Sequence, residues 1–226
     1  MIIKNRKFDL RVWVLVTDWN PLTVWFFKKP YVRFPALDYS TNDLDNNFAN
    51  LANNSIAKYG DTTQNMHQID GNMMFIEELQ EELINIHCQD VYEEIIEDKI
   101  KNVIINTLES VQDTFEYKRG CFELYGFDIM IDEDFNVWLI EVNSSPAMDY
   151  STTVTEKLVK VCLEDTCKVI IDYEQPMSQK KKAKVDTGEF ELIYKAKRFV
   201  EKPLNSFGLN MEIKGTKIPD KYLSKY

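Results

Sequence analysis

The sequence predicts an α+β domain, a mainly antiparallel sheet packed by helices, and three observations carry that expectation. Residues 7–16 alternate with a period of two, Phe8, Leu10, Val12, Val14 and Val16 against Lys7, Asp9, Arg11, Trp13 and Leu15, as a strand does. Two apolar runs, 122–132 and 137–143, flank an acidic patch and together form a hairpin pattern. Segments with helical spacing lie on either side of that hairpin. A hydrophobic content of 44% in 226 residues is enough for one domain with a packed core, which excludes wholesale disorder.

The elements follow in order. Asn20-Pro21 marks a turn after the first strand, and 23–27 is rich in β-branched and aromatic residues, as a second strand would be. Tyr-Val-Arg-Phe at 31–34 is a further strand-like stretch. Residues 38–72 are polar and Asn-rich, a loop with a short helix or strand near 51–56. Ile76, Leu79, Leu83 and Ile86 fall at helical spacing, and Asp90 with Glu93 forms a capping-box pattern ahead of Ile96, Ile100, Val103 and Leu108. A third helix over 153–169 would place Val154, Leu158, Val161 and Cys162 on one face. Pro176 and a lysine-rich run break the pattern at 174–186, and a short strand at 190–194 closes the core. The stretch 201–226 has no period and is expected to be a flexible tail.

The formal net charge of -10 is unevenly distributed. Residues 61–100 hold eleven Asp/Glu against one Lys, whereas residues 1–33 hold seven Lys/Arg against two Asp. Overall acidity argues against nucleic acid as a partner. Apolar stretches are all shorter than ten residues, too short to cross a bilayer, and the opening lacks the apolar core of a signal peptide. The expectation is a soluble, intracellular protein with no membrane partner. Cys88, Cys121, Cys162 and Cys167 form no Cys-x-x-Cys pair and have no histidine cluster beside them, which favours core thiols over zinc or disulfides. His67 and His87 are expected to be helix-surface or packing residues.

The hairpin carries the chemistry. A loop centred between Asp134 and Phe135 puts Asp128 directly opposite Glu141, with Asn143 on the same face. Opposed side chains have β-carbons about 5 Å apart, and like charges there repel. A divalent cation would remove that repulsion, and an all-oxygen set suits Mg²⁺. The alternative is an ordinary hairpin with acidic residues on its wet face. Trp138, Ile140 and Val142 opposite, and Leu139 alongside, argue that this face is partly enclosed. Lys7, Asp9 and Arg11 share one face of the first strand, and Arg33 follows nearby. Fixed guanidinium groups on a sheet make a bidentate clamp for phosphate oxygens. Taken alone, that strand is better explained as a solvated outer strand; beside an acidic hairpin, it suggests Mg²⁺ and a triphosphate meeting between sheets.

These motifs together resemble the tubulin–tyrosine-ligase-like enzymes. The likeness rests on Lys-Phe-Asp-Leu-Arg-Val-Trp-Val-Leu-Val at 7–16, Asn-Asn-Ser-Ile at 53–56, Phe-Glu-Leu-Tyr-Gly-Phe-Asp at 122–128 and Trp-Leu-Ile-Glu-Val-Asn at 138–143. The runs at 16–27 and 186–195 resemble the glycine-adding branch, in particular its initiating monoglycylases. The resemblance implies an ATP-grasp fold, of which residues 1–200 would be the C-terminal portion, lacking the N-terminal part that holds adenine. It implies that Asp128, Glu141 and Asn143 hold Mg²⁺ on ATP. Lys7, Asp9 and Arg11 would line the nucleotide and phosphate site, Arg33 would stand near the transferred phosphate or acceptor, and Asn53 would match a nucleotide-site asparagine. Many relatives have Thr where this chain has Ala52, so no role is carried to that position. The implied activity is ATP-dependent addition of free glycine to glutamate side chains of tubulin, in the cytoplasm, cytoskeleton and cilium. A glutamate-adding ligase and a non-catalytic tubulin-binding module are the alternatives. The acidic tail of tubulin would be met by the positive segment 1–33, or by the lysines of 180–184, for which a solvated linker is the better account.

Overall fold

Strand β1 (Asp9–Trp19) is the longest, and every other strand is placed by it in a seven-stranded sheet whose pairs are all antiparallel. The computed structural model describes residues 1–63, 65–115, 120–174, 178–182 and 184–200; the expected tail at 201–226 lies outside them. Strands β2 (Leu22–Phe27) and β3 (Tyr31–Arg33) share one side of β1, pairing with its C-terminal and N-terminal parts respectively. They form one line broken at Lys28, Lys29 and Pro30, where proline lacks the N–H a ladder needs. β4 (Met73–Phe75) extends the sheet beyond β3. β5 (Glu123–Ile131) runs along the other side of β1 and carries β6 (Val137–Asn143) as an edge strand. β7 (Phe190–Lys195) pairs with β2. The short β4 was not foreseen, since three residues are too few to show a period.

The excursion from β3 to β4 contains two single-turn helices, α1 (Asn47–Asn50) and α2 (Asn54–Ala57). Longer helices α3 (Ile76–His87) and α4 (Glu97–Val111) cover one face of the sheet, and α5 (Thr153–Cys167) covers part of the other. The period of two sorts the strand residues between these layers. Leu10, Val12, Val14, Val24, Phe26, Phe127 and Ile129 join Leu79, Leu83, Ile100, Ile104 and Leu108 in one core. Trp13, Leu15, Trp25, Phe27 and Phe190 join Val154, Leu158, Val159 and Cys162 in the second. The predicted helices are present, with Asp90 accepting from the Glu93 N–H at 3.1 Å and Thr152 capping α5. Two details differ from expectation. Ile86 and Val161 are exposed, and Val159 takes the inner position.

α5 packs over Trp13 and Leu15 of β1. The Asp9–Arg11 end of the same face belongs to neither apolar core, and there the sheet carries charge instead. Of the four cysteines, all free, only Cys162 is buried; Cys88, Cys121 and Cys167 are exposed, so the expected set of core thiols reduces to one. Their reaching the surface follows from position: Cys88 is the left-handed residue ending α3, and Cys121 precedes β5. His87 meets the Phe135 ring edge-on at 5.0 Å from the end of α3. His67 lies in the excursion rather than on a helix, and its carbonyl accepts from Arg6. Among the described residues, no helix is long and apolar enough to cross a membrane.

Candidate functional site

Strand register assembles the site row by row. Tyr31, Arg11, Asp128 and Glu141 stand side by side across β3, β1, β5 and β6. The next row holds Arg33 beside Asp9, and the row on the other side holds Trp13, Gly126 and Asn143. Directly paired residues project from the same face of a sheet, so these side chains converge. Gly126 makes the convergence possible. A Cβ there would lie 2.8 Å from the Pro146 Cβ and 3.2 Å from the Arg11 Cδ, so the Arg11 side chain crosses the space a larger residue would fill.

Arg11 donates from Nε to Asp128 Oδ1 at 2.6 Å and from Nη2 to Asp128 Oδ2 at 3.2 Å. Arg33 Nη2 lies 2.7 Å from Asp128 Oδ2, and Arg33 Nε donates to Asp9 Oδ1 at 2.6 Å. Asp128, Arg33, Asp9 and Arg11 are only 2%, 5%, 6% and 7% exposed. The solvated outer strand, the better account of this strand taken alone, is therefore overturned. Charges this deep persist only when paired, and here two cations balance two anions. Burial pushes the Asp9 carboxyl above its ordinary pKa, and the single Arg33 partner only partly opposes it. Burial also pushes Asp128 upward, but hydrogen bonding from Arg11 and the charges of Arg33 and Arg11 outweigh it, and Asp128 falls below the usual carboxylate range. The Tyr31 hydroxyl is raised by burial.

A cavity of about 280 Å³ opens against this network. Arg11, Tyr31 and Arg33 supply its sheet wall; Asn53, Asn54, Ser55 and Lys58, around α2, supply the facing one. Ala147, Asp149 and Ser151, from the segment after β6, complete it. Of the residues expected from sequence, Arg11, Arg33 and Asn53 meet here. Asp9 and Asp128 stand behind them as charge partners. Lys7 precedes β1, and its Nζ donates to Asn50 Oδ1 at 2.9 Å and sits over the Tyr39 ring, outside the cavity lining. Sequence reasoning missed Asn54, Ser55, Lys58 and Tyr31. The first two lie inside the quoted Asn-Asn-Ser-Ile motif, whereas nothing in periodicity marks Lys58.

The expected pairing of Asp128 with Glu141 is present, and Asn143 lies on the same face. The expected enclosure is not. β6 is an edge strand, Trp138 is 61% exposed, and Glu141 is exposed too. Leu139 pairs with Ile129 on the helix-covered face rather than standing alongside Glu141, because a bulge intervenes.

The hydrogen bonds of the donor set leave room for a divalent cation. Asp128 receives three guanidinium N–H contacts, and a carboxylate offers about four lone-pair sites. Among the described residues Glu141 accepts only from the Asn143 amide, at 3.2 Å, and that amide also donates to the Gly126 carbonyl, leaving the Asn143 oxygen available. Two carboxylates and one amide oxygen fit the few protein ligands Mg²⁺ takes when phosphates and water complete its shell. No group of three or more His, Cys, Asp and Glu side chains among the described residues makes a competing metal site.

Comparison with known proteins gives the lineage. A model of the tubulin-tyrosine ligase family matches residues 1–182. The chain belongs to that family. Tubulin-tyrosine ligase family relatives include tubulin glycylase 3C of Tetrahymena thermophila, 46% identical over 217 residues, which are 95% of this chain and 20% of that protein. Human tubulin monoglycylase TTLL3 is 41% identical over 86% of this chain and 25% of its own length. Mouse protein monoglycylase TTLL8 is 38% identical over 94% and 25%. The chain thus spans about a fifth to a quarter of the length of these family members. The antiparallel sheet packed by helices agrees with the α+β fold expected of the family.

Proposed function

We propose that this chain carries the phosphate and metal end of an ATP-dependent ligase that adds glycine to glutamate side chains of tubulin. One observation carries the reading: the buried Asp9–Arg33–Asp128–Arg11 network lies against a cavity, with Glu141 and Asn143 aligned beside it. The names of the relatives supply the amino acid and the acceptor, and the cytoskeleton and cilium are the places where such an acceptor is met.

A carboxylate does not accept an amine in water, because oxide is the leaving group. In the proposed reaction a glutamate carboxylate oxygen of the acceptor attacks the terminal phosphorus of ATP, and ADP leaves. The glycine amine then attacks the acyl carbon and gives up a proton, and phosphate leaves with the oxygen that the acceptor contributed. Both steps gather anionic oxygens, so positioning and charge neutralisation dominate. Arg11 and Arg33 face the cavity, and among the described residues their bonds to Asp128 and Asp9 use Nε and Nη2, which leaves Nη1 to donate to those oxygens. Asp9 and Asp128 hold both guanidinium planes in place. Asp128, Glu141 and Asn143 would hold Mg²⁺, which when bound offsets the charge of the ATP phosphates.

The test is incorporation of labelled glycine, against labelled glutamate, into tubulin by the protein that contains this chain, with ATP and Mg²⁺. Glycine is the expected substrate. Glu141→Gln changes an exposed side chain and should leave folding intact, yet should cost at least ~10²-fold in rate. Incorporation of glutamate instead, or a normal rate for Glu141→Gln, would overturn the reading.

A further inference from the structure

The excursion between β3 and β4, residues 34–72, is far longer than a loop that can hold its own shape, and its described residues form only short helical turns, α1, α2 and a 3-10 turn at Asp70–Asn72. It nevertheless supplies one wall of the cavity through Asn53, Asn54, Ser55 and Lys58. Something must fix that wall against the sheet.

Arg6 stands where such a constraint is needed. Its side chain is fully buried, three residues before Asp9. Nη1 donates to Asn72 Oδ1 at 2.8 Å and to the Pro35 carbonyl at 3.3 Å, and Nη2 donates to the His67 carbonyl at 2.7 Å. Nε lies 3.5 Å from Asp38 Oδ1, and neither of these two buried atoms has a hydrogen-bond partner among the described residues. One guanidinium therefore touches the outgoing end of the excursion at 35 and 38 and the returning end at 67 and 72. The backbone around it is committed to the same arrangement. The Asn72 carbonyl accepts from the Phe34 N–H at 2.9 Å, Asn72 itself is left-handed with φ 53°, and the Tyr39 N–H donates to the Asn5 carbonyl at 2.7 Å. The excursion then closes on itself, with the Leu37 N–H on the Phe48 carbonyl and the Asn65 amide on the Ala36 carbonyl.

We propose that Arg6 is a positioning residue, a clasp that joins both ends of the 34–72 excursion to the entry of β1 and so sets the α2 wall of the cavity against Arg11 and Arg33. Only the ligand-binding consequence rests on the function proposed above; the clasp itself does not. Lysine cannot replace it, since one ammonium presents three donors at a point while the guanidinium reaches four sites along a fork.

Hydrogen exchange on the whole chain tests the clasp directly. In Arg6→Lys, amides of 36–66 should exchange at least ~10-fold faster, as expected for the loss of charge-assisted hydrogen bonds, while those of β1, β5 and β6 keep their protection. Asn72→Gly is the gentler companion: it removes one acceptor yet suits the left-handed backbone, and should loosen the same segment less. In the protein that contains this chain, Arg6→Lys should raise KM for ATP ~10-fold or more and leave kcat within about threefold. Unchanged exchange at 36–66 would overturn the clasp. So would equal acceleration across the whole sheet in both variants, which would make Arg6 a general core residue. Faster exchange at 36–66 with an unchanged KM would remove the link to the cavity. A wild-type protein that neither binds ATP nor ligates glycine would count against the function and leave the exchange result standing.

Discussion

Two opposing effects meet on the Asp128 carboxylate. Burial favours its neutral form, and two guanidinium groups favour the charged one; the pairs win, and its pKa is lowered. Asp9, pushed up first by burial and also by the Asp128 charge, is hydrogen-bonded by Arg33 and moves the other way. The signs give different acid responses. For Asp128 the folded pKa lies below the unfolded value of ~3.9, so its contribution is present above that pH and is lost as pH falls through the folded pKa. For Asp9 the folded pKa lies above the unfolded one, so the ionised form is penalised at neutral pH and the penalty fades on acidification. Asp128→Asn should therefore cost about 3–5 kcal/mol at pH 7, because Arg11 and Arg33 are left buried without their counter-charge. Its deficit against wild type should be constant above pH ~5 and shrink below pH ~4. Asp9→Asn should cost less at pH 7. Urea unfolding at pH 7 and pH 3.5 measures all three quantities, and an Asp128→Asn deficit that persists undiminished in acid would contradict the assignment.

At the scale of elements, the hairpin shows how a correct pairing was reached by an incomplete route. The sequence suggested a loop centred between Asp134 and Phe135; the structure has five loop residues, 132–136, centred on Asp134, and its first ladder pair is Ile131 with Val137. Continued regularly, that ladder would set Ile140 against Asp128 and send Glu141 to the side of Phe127, into the helix-covered core. A bulge at Ile140 restores Asp128 opposite Glu141. Two irregularities of opposite sense cancel, and neither was legible, because loop geometry depends on the turn rather than on apolar alternation. Asp132 fixes that turn. Its carboxylate accepts from the Trp138 indole and the Asn136 and Asp134 N–H groups, which lowers its pKa to about 2 and occupies it structurally. Gly126 belongs to the same hairpin and had no signal of its own. Gly126→Ala should destabilise by about 1–3 kcal/mol, because the new methyl meets both the Pro146 ring and the Arg11 stem. Denaturant unfolding reports it, and wild-type stability would mean that the segment after β6 yields without cost.

At the scale of the whole molecule, period and composition conveyed which residues share a face but not what covers that face. Lys7, Asp9 and Arg11 alternate with apolar residues in any strand; their burial depends on the 34–72 excursion and the segment after β6, contacts made across tens of residues. The same gap misled the reading of charge. Segment 1–33 carries seven cations, yet Arg6, Arg11 and Arg33 are buried, and Lys4, Lys28 and Lys29 pair with Glu82, Glu189 and Glu77. Among the described residues most of its positive charge is therefore buried or paired, and the seventh cation, Lys7, donates to Asn50 and sits over the Tyr39 ring. In the lysine run, Lys182 sits over the Tyr173 ring, 4.0 Å from Glu174. An anionic peptide approaching this chain meets a molecule of net charge -10 at long range, and the guanidinium groups of Arg11 and Arg33 attract it at the cavity. Screening weakens the long-range repulsion first, since the Debye length falls from about 30 Å at 0.01 M salt to about 8 Å at 0.15 M. The association rate of a glutamate-rich peptide with the 226-residue chain should consequently rise about threefold or more over that range. Stopped-flow fluorescence would show it. A rate that falls instead would place a steering basic surface on this chain, with the lysines of 180–184 the first to replace.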